Sequence, residues 1–128
     1  MQSVRKLAFV AELSQAQGLI AEGRREAAFV HLQRAHVLGQ LEVLPHVQVH
    51  WLMFKVEVSR RRAGAAVGQL LRIVLGGLGS AVGLVPVGNT GGSDISMFKR
   101  LPIAPDLQDL ADGRGAQVGP AEQDKPQA

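Results

Sequence analysis

The sequence contains no cysteine, and only 4% of its 128 residues are aromatic. Without cysteine the chain cannot form a disulfide bond, a zinc site with thiolate ligands or a thiol nucleophile. Any metal ion must therefore be held by histidine, carboxylate or methionine side chains. Because aromatic residues are scarce, the core has to be built from leucine, valine, alanine and glycine, a composition that favours closely packed helices.

Net charge is also small, at +3. The one basic cluster, Arg60 to Arg62, falls at a predicted helix C-terminus, where the helix dipole favours cations. No run of lysine and arginine is interleaved with aromatic residues, as a nucleic-acid-binding surface would require. We therefore expect no nucleic-acid partner.

One stretch, residues 73–93, carries no charge. Glycines, a serine and Pro86 interrupt it, whereas a membrane-spanning helix needs about 20 mainly apolar residues. The apolar stretch at the N-terminus is too short for a signal peptide. We expect a cytoplasmic protein without a membrane partner.

Apolar residues recur at helical spacing along most of the chain. Phe9, Leu13, Ala16 and Ile20, for example, step by four, three and four residues. The pattern and its breaks predict four main helices, over residues 3–21, 24–38, 45–61 and 64–82.

Glycine and proline mark the ends of these segments. Gly39 is predicted to stop the second helix, and Pro45 suits the first turn of the third. Pro86 cannot continue the fourth helix. Beyond it, residues 93–112 are predicted to form an extended arm with a short helix that starts at Pro105.

These elements predict an all-α fold. Two helices joined by a short turn lie antiparallel, so the four main helices should form two antiparallel hairpins in series, loosely like a tetratricopeptide unit. The extended C-terminal arm and its short terminal helix close the structure. With 46% hydrophobic residues, residues 1–112 can form a single helical domain, and residues 113–128 are predicted to be a mobile tail.

All four histidines lie between residues 31 and 50. At a rotation of about 100° per residue, His46, His50, Met53 and Glu57 form one stripe at the centre of the third helix's apolar face. Two histidines spaced i, i+4 present both imidazoles on one side. Such a pair is a half-site for zinc, copper, nickel or iron.

His36 is the expected third ligand, because the loop after the second helix folds it back beside the third. His31 lies about 140° from His36 around the second helix, so the two are not expected to ligate one ion together from a regular helix. His31 and Glu57 are predicted to be further ligands or hydrogen-bond partners of the ligands.

Three functions remain open from these residues. The leading hypothesis is a transition-metal-binding protein. The alternative is a helical interaction module whose histidines are structural and whose grooves bind a protein partner or a second copy of the chain. The third is an enzyme with a histidine general base, for which no nucleophile, carboxylate pair or cofactor motif indicates a reaction.

The fourth helix carries a second stripe, formed by Gly68, Arg72, Gly76, Gly79 and Gly83. Glycine costs about 1 kcal/mol in a helix interior relative to alanine, so a row of glycines indicates close approach by a neighbour. Arg72 is predicted to form an ion pair with Glu57; binding of an anion is the alternative.

After the fourth helix comes a turn, formed by Gly88, Asn89, Thr90, Gly91 and Gly92. Its glycines can adopt positive φ at little cost. The turn is interpreted either as plain turn and packing or as a loop whose backbone N–H groups hold an anion.

The segments AFVHLQRAHVLGQ, HVQVHW, GQLLRIV and GLVPVGNTGG occur in that order. Together they resemble a bacterial family catalogued as domain of unknown function 3703, over about residues 5 to 110. The resemblance implies a small helical protein in which the four histidines, Arg72, Pro86 and the turn from Gly88 to Gly92 belong together. It implies no reaction. The connection LEVLP and the glycine-rich VLGGLGSAVG depart from the family pattern.

Overall fold

The computed structural model of the protein describes residue 1 and residues 3–114. These residues form five helices: α1 Ser3–Ala21, α2 Arg25–Gly39, α3 Val43–Ser59, α4 Ala63–Val82 and α5 Pro105–Ala111. The prediction of an all-α fold is confirmed. The predicted mobile tail lies, from residue 115 onward, outside the described residues.

Gly39 differs from its predicted role. It is the last residue of α2, and the residue after it, Gln40, keeps right-handed helical angles (φ −64°, ψ −19°), so Gly39 does not stop the helix through a left-handed turn. A Cβ at this position would lie 2.7 Å from the ring of Phe9 and 2.9 Å from Pro45. Glycine is needed here because α1 and the start of α3 pack closely on the end of α2.

The apolar core joins the first three helices and α5. α1 packs mainly on α2, α2 packs on α3, and α5 packs on α1 and α2. The core residues are Phe9, Leu13, Ala16, Phe29, Leu32, Ala35, Val37, Leu38, Val49, Leu52, Met53, Val56 and Leu107. The neighbours expected in each hairpin are in contact, while the likeness to a tetratricopeptide unit stays a prediction.

α4 packs on α3 with an unusual distribution of residues. Its buried residues are Ala66, Gln69, Arg72 and Ser80, of which three are polar. The apolar row with helical spacing turns outward, each member between 54% and 69% exposed: Val67, Leu71, Val74, Leu78 and Val82. The polar face of α4 therefore faces α3 and its histidines.

Within the described residues, α4 is the one helix long and apolar enough to cross a membrane, judged by length and composition only. Only 28% of the apolar stretch that meets this test is buried inside the protein. The expected absence of a membrane partner stays a prediction.

Candidate metal centre

Three histidines from two helices converge in the interior. His36 lies in the last turn of α2, and His46 and His50 lie one turn apart on α3. All three are buried, with at most 4% of each residue exposed. Their Nε2 atoms form a small triangle: His36 to His46 is 2.9 Å, His36 to His50 is 3.0 Å, and His46 to His50 is 3.1 Å.

The other ring nitrogen of each histidine has an oxygen partner. His36 Nδ1 lies 2.7 Å from the backbone carbonyl oxygen of Asn89. Because a carbonyl oxygen can only accept, the proton of the neutral His36 ring is on Nδ1, and Nε2 carries none.

His50 is oriented by a side-chain amide. Its Nδ1 donates to Gln69 Oε1 over 2.7 Å. The amide group of Gln69 is held in this sense because its Nε2 donates to Gly91 O and to Ser93 Oγ. Oε1 is therefore the atom that faces His50, and His50 also has its proton on Nδ1.

His46 is oriented by Ser80 on α4. The Ser80 hydroxyl donates its one proton to the backbone carbonyl of Gln40 over 2.7 Å. It therefore accepts from His46 Nδ1, which lies 2.5 Å away. All three rings share one tautomer, with a hydrogen on Nδ1 and a bare lone pair on Nε2.

Burial keeps these rings neutral. It lowers the pKa of His46 to about 4 and that of His50 to about 3. The pKa of His36 is lowered well below its ordinary value, first by burial and then by the neighbouring His50 and His46. At neutral pH three uncharged acceptors therefore meet with no hydrogen between them.

Arg72 connects α4 to the turn that follows it. Arg72 donates to the carbonyl oxygens of Gly91, Gly92 and Ile95. The predicted pairing of Arg72 with Glu57 is therefore wrong: the guanidinium reaches the turn rather than α3.

The turn itself is folded around Asn89. The Asn89 side-chain amide donates to the carbonyls of Ser96 and Lys99, and its oxygen accepts from Gly91 N–H. Gly88 and Gly91 have the expected positive φ, 82° and 71°. The turn presents carbonyl oxygens to His36, Gln69 and Arg72, which supports the turn and packing interpretation over an anion loop of N–H groups.

The structure does not bring Glu57 and His31 to the three nitrogens. The Glu57 carboxylate is fully buried and pairs with Arg60 at 2.8 Å and Arg62 at 3.2 Å, just beyond the end of α3. His31 Nδ1 lies 2.6 Å from Glu12 on α1. Both were predicted at the metal site, and both instead form ion pairs or hydrogen bonds at other places.

The glycine stripe of α4 is closely approached at two points, once by a histidine of α3 and once by the chain that turns back directly after α4. A Cβ at Gly76 would lie 2.9 Å from His46 Cε1, and one at Gly79 would lie 2.6 Å from the carbonyl oxygen of Leu84. At Gly68 and Gly83 a Cβ would meet nothing within 4 Å. The predicted close approach by a neighbouring helix therefore holds at Gly76, whereas Gly79 is approached by the turn that ends α4.

Gln69, Ser80 and the Asn89 carbonyl were not predicted as parts of the site. The two side chains had a signal: on a helical wheel they lie within about 80° of Arg72, on the same side as Gly76. A backbone carbonyl such as that of Asn89 has no side-chain signature, so only the folded structure reveals it.

A cavity of about 80 Å³ adjoins the three histidines, which form part of its wall together with Gln40, Arg72 and mainly apolar residues. The triangle of nitrogens suits a metal ion. Zinc lies about 2.0–2.1 Å from an imidazole nitrogen. The centre of the nitrogen triangle is nearer than this to each nitrogen, so an ion above the centre can lie at that distance from all three. Neutral imidazole also suits copper, nickel and iron.

A family model described as "Protein of unknown function (DUF3703)" matches residues 3–111 of the chain. No curated protein and no solved structure matches it. The family resemblance seen in the sequence motifs is confirmed.

Proposed function

The chain belongs to the DUF3703 family, which has no assigned function, and we propose that it binds one divalent first-row transition-metal ion through Nε2 of His36, His46 and His50. The observation that carries the proposal is the convergence of three bare Nε2 atoms within 3.1 Å of one another. A bound ion places a positive charge at the point where the lone pairs of the three Nε2 atoms converge.

The alternative role for these histidines is purely structural hydrogen bonding. A buried acceptor without a donor costs about 1–3 kcal/mol, so a structural cluster would be expected to place a hydrogen on at least one Nε2. Here Asn89 O, Ser80 Oγ and Gln69 Oε1 each accept a hydrogen bond from an Nδ1–H group, which leaves the three Nε2 atoms without a hydrogen. Metal-binding histidines commonly donate their second ring N–H to an oxygen in this way, which fixes the tautomer and the ring orientation.

The test is the metal content of untagged protein purified without chelator and then equilibrated with zinc, nickel or copper. We expect about one ion per chain in the wild type and none in the His46→Ala/His50→Ala double variant, with folding checked by circular dichroism. His31→Ala is the matched control and should keep the full metal content. A folded wild type that takes up no ion, or a double variant that still binds one, contradicts the proposal.

A second candidate function is self-association through the outer face of α4. This face carries five apolar side chains that are each more than half exposed, and the one charged residue of α4, Arg72, is buried on the opposite side. Contiguous exposed apolar surface of this kind marks an interaction site. We propose a second copy of the chain as the partner, because an uncharged face can meet its own copy across a two-fold axis without like-charge repulsion.

Sedimentation analysis over a range of concentrations tests this second candidate. The wild type is expected to dimerise, and Val74→Glu/Leu78→Glu is expected to be monomeric. Leu7→Glu, at an exposed apolar position of α1, is the control that should leave the dimer intact. A wild type that stays monomeric at all concentrations contradicts self-association and leaves metal binding unaffected.

A further inference from the structure

We infer that the metal keeps one coordination position open to the adjoining cavity, and that a small monovalent anion bearing an O–H or S–H group binds there. The inference rests on the proposed metal site and adds the class of its ligand. Four features of the cavity carry it: its position, its charge, an unpartnered amide oxygen and its apolar wall.

The position of the cavity leaves room for a ligand. Three protein ligands do not complete the shell of a zinc-like ion, and sites with three protein ligands keep a fourth position for water or substrate. His36, His46 and His50 all line the same cavity of about 80 Å³. A single water molecule needs about 10–15 Å³ of such space, so this cavity accommodates a ligand of a few non-hydrogen atoms.

The charge of the cavity calls for an anion. Arg72 is the one charged side chain in its wall, and no carboxylate lines it among the residues that the structure describes. A divalent ion adds two positive charges to that of Arg72, while the three histidines are neutral. Buried charge of one sign is costly unless it is paired, and none of the described residues in the cavity wall supplies a counter-charge. Asp94, whose charge reaches Arg72, lies outside the wall and pairs with Arg62. A bound anion provides it.

Gln40 indicates that the anion carries a hydrogen. Gln40 lines the cavity and is 2% exposed. Its Nε2 donates to the carbonyl oxygen of Pro86, which fixes the sense of the amide. Its Oε1 is buried with no hydrogen-bond partner in the part of the chain that the structure describes. An acceptor of this kind is satisfied by an anion with an O–H or S–H group, and an anion without one leaves it unpaired.

The remaining wall limits the ligand to small, singly charged species. It is formed mainly by apolar residues: Leu75, Leu84, Val85, Pro86, Met97 and Phe98. Such a wall offers no donors to replace the hydration shell of a multiply charged anion such as phosphate. Hydroxide, hydrogen carbonate and hydrosulfide share the required chemistry.

The experiment uses the cobalt(II)-loaded full-length protein, whose visible absorption reports the ligands of the metal. Hydrogen carbonate and acetate form a matched pair, because acetate has the same shape with a methyl group in place of the hydroxyl. We expect a saturable spectral change with hydrogen carbonate and a dissociation constant at least about tenfold lower than that for acetate, as one hydrogen bond to a charged partner predicts.

Two variants identify the residues responsible. Gln40→Leu removes the acceptor and should bring the two dissociation constants within about twofold of each other. Leu75→Trp fills the cavity and should weaken the binding of both anions at least about tenfold. Leu7→Trp, at an exposed position of α1 that does not line the cavity, should leave both dissociation constants unchanged. The Leu75 and Leu7 variants keep the test valid if Gln40→Leu fails to fold.

The outcomes separate the inference from the proposed function. If cobalt binds with a stoichiometry of about one and neither anion alters its spectrum, the open position is refuted and the metal site stands. Equal affinity for hydrogen carbonate and acetate in the wild type refutes the role of Gln40 and with it the protic anion. If cobalt does not bind at the three histidines, both the inference and the proposed function are wrong.

Discussion

α1 and α4 are helices of similar length with opposite distributions of residues. α1 buries Phe9, Leu13 and Ala16, as an amphipathic helix of a globular protein does. α4 buries Gln69, Arg72 and Ser80 and exposes its row of valines and leucines. The apolar face of α1 packs into the core, whereas α4 turns its apolar face outward.

The buried polar groups of α4 orient the three histidines. Each buried polar group on α4 has a partner at or beside the three histidines: Gln69 holds His50, Ser80 holds His46, and Arg72 holds the turn whose Asn89 carbonyl holds His36. Burying so many polar groups is favourable only because all are hydrogen-bonded. The inner face of α4 is therefore fitted to the histidine site rather than to an apolar core.

The largest expected effect on the free energy of unfolding comes from one of two matched leucine substitutions, one in each helix. Leu13→Ala removes a side chain that is 6% exposed and should lower the free energy of unfolding by about 2–5 kcal/mol. Leu78→Ala removes one that is 63% exposed and should change it by less than about 0.5 kcal/mol. Urea unfolding at low protein concentration measures both. Equal losses in the two variants would show that the apolar row of α4 is buried as the apolar face of α1 is.

Metal removal should destabilise the protein by a similar amount. At a free zinc concentration about 1,000 times the dissociation constant, binding to the native state alone adds about 4 kcal/mol to the free energy of unfolding. The expected result is a clear fall in melting temperature when a chelator is added to the wild type, and no fall in the His46→Ala/His50→Ala variant. A melting temperature that is the same with and without chelator would argue against an ion in the folded protein.

Acid should weaken the metal-free protein through the same histidines. In the unfolded chain a histidine has a pKa of about 6.5, whereas in the folded protein burial lowers the pKa of His46 to about 4 and of His50 to about 3. Below about pH 6.5 the unfolded chain therefore binds more protons, so stability is fully present above that pH and falls as pH drops toward 4.

The expected slope in this range is up to about 1.4 kcal/mol per pH unit for each additional proton bound on unfolding. Urea midpoints of the chelator-treated protein between pH 7 and pH 5 measure it. His50→Gln should reduce the slope. Stability that is independent of pH over this interval would mean that the histidines are not buried in their neutral form.

The residues that orient the histidines should set the metal affinity. Gln69→Leu and Ser80→Ala each remove the acceptor of one Nδ1–H, and loss of such a partner typically lowers metal affinity 10–100-fold. Competition with a chromogenic chelator measures the change. Gln48→Leu, at an exposed position of α3, is the control with unchanged affinity. If Gln69→Leu binds metal as tightly as Gln48→Leu, the inner face of α4 does not serve the site.

The smallest expected effects come from two glycines of α4. At Gly68 a Cβ would meet nothing within 4 Å, so Gly68→Ala should raise stability by about 0.5–1 kcal/mol through helix propensity. Gly76→Ala gains the same propensity but places a Cβ 2.9 Å from the His46 ring, so it should weaken metal binding. Thermal melting and metal titration of both variants check this, and equal affinity in the two would show that His46 needs no clearance from α4.

Local features of the fold could be predicted from the sequence, because apolar spacing determines where helices form and the i, i+4 spacing places His46 and His50 on one face. His36 followed from the reversal of the chain between α2 and α3. The ion pairs of Glu57 could not be predicted from helical spacing. Glu57 lies on the same stripe as the histidines, but Arg60 and Arg62, just after the end of α3, pair with it. The roles of Gln69 and Ser80 depend on which face of α4 is buried. Hydrophobicity alone predicts that the row of valines and leucines is buried, and the structure buries the polar face.

A crystal structure of the metal-loaded protein, with anomalous diffraction recorded at the absorption edge of the metal, tests whether the three histidines hold an ion. A single anomalous peak about 2.0–2.1 Å from Nε2 of His36, His46 and His50 is the predicted result, as for zinc bound by imidazole. A loaded crystal with no peak at these three nitrogens, or with its main peak elsewhere, for example beside His31 and Glu12, would contradict the account.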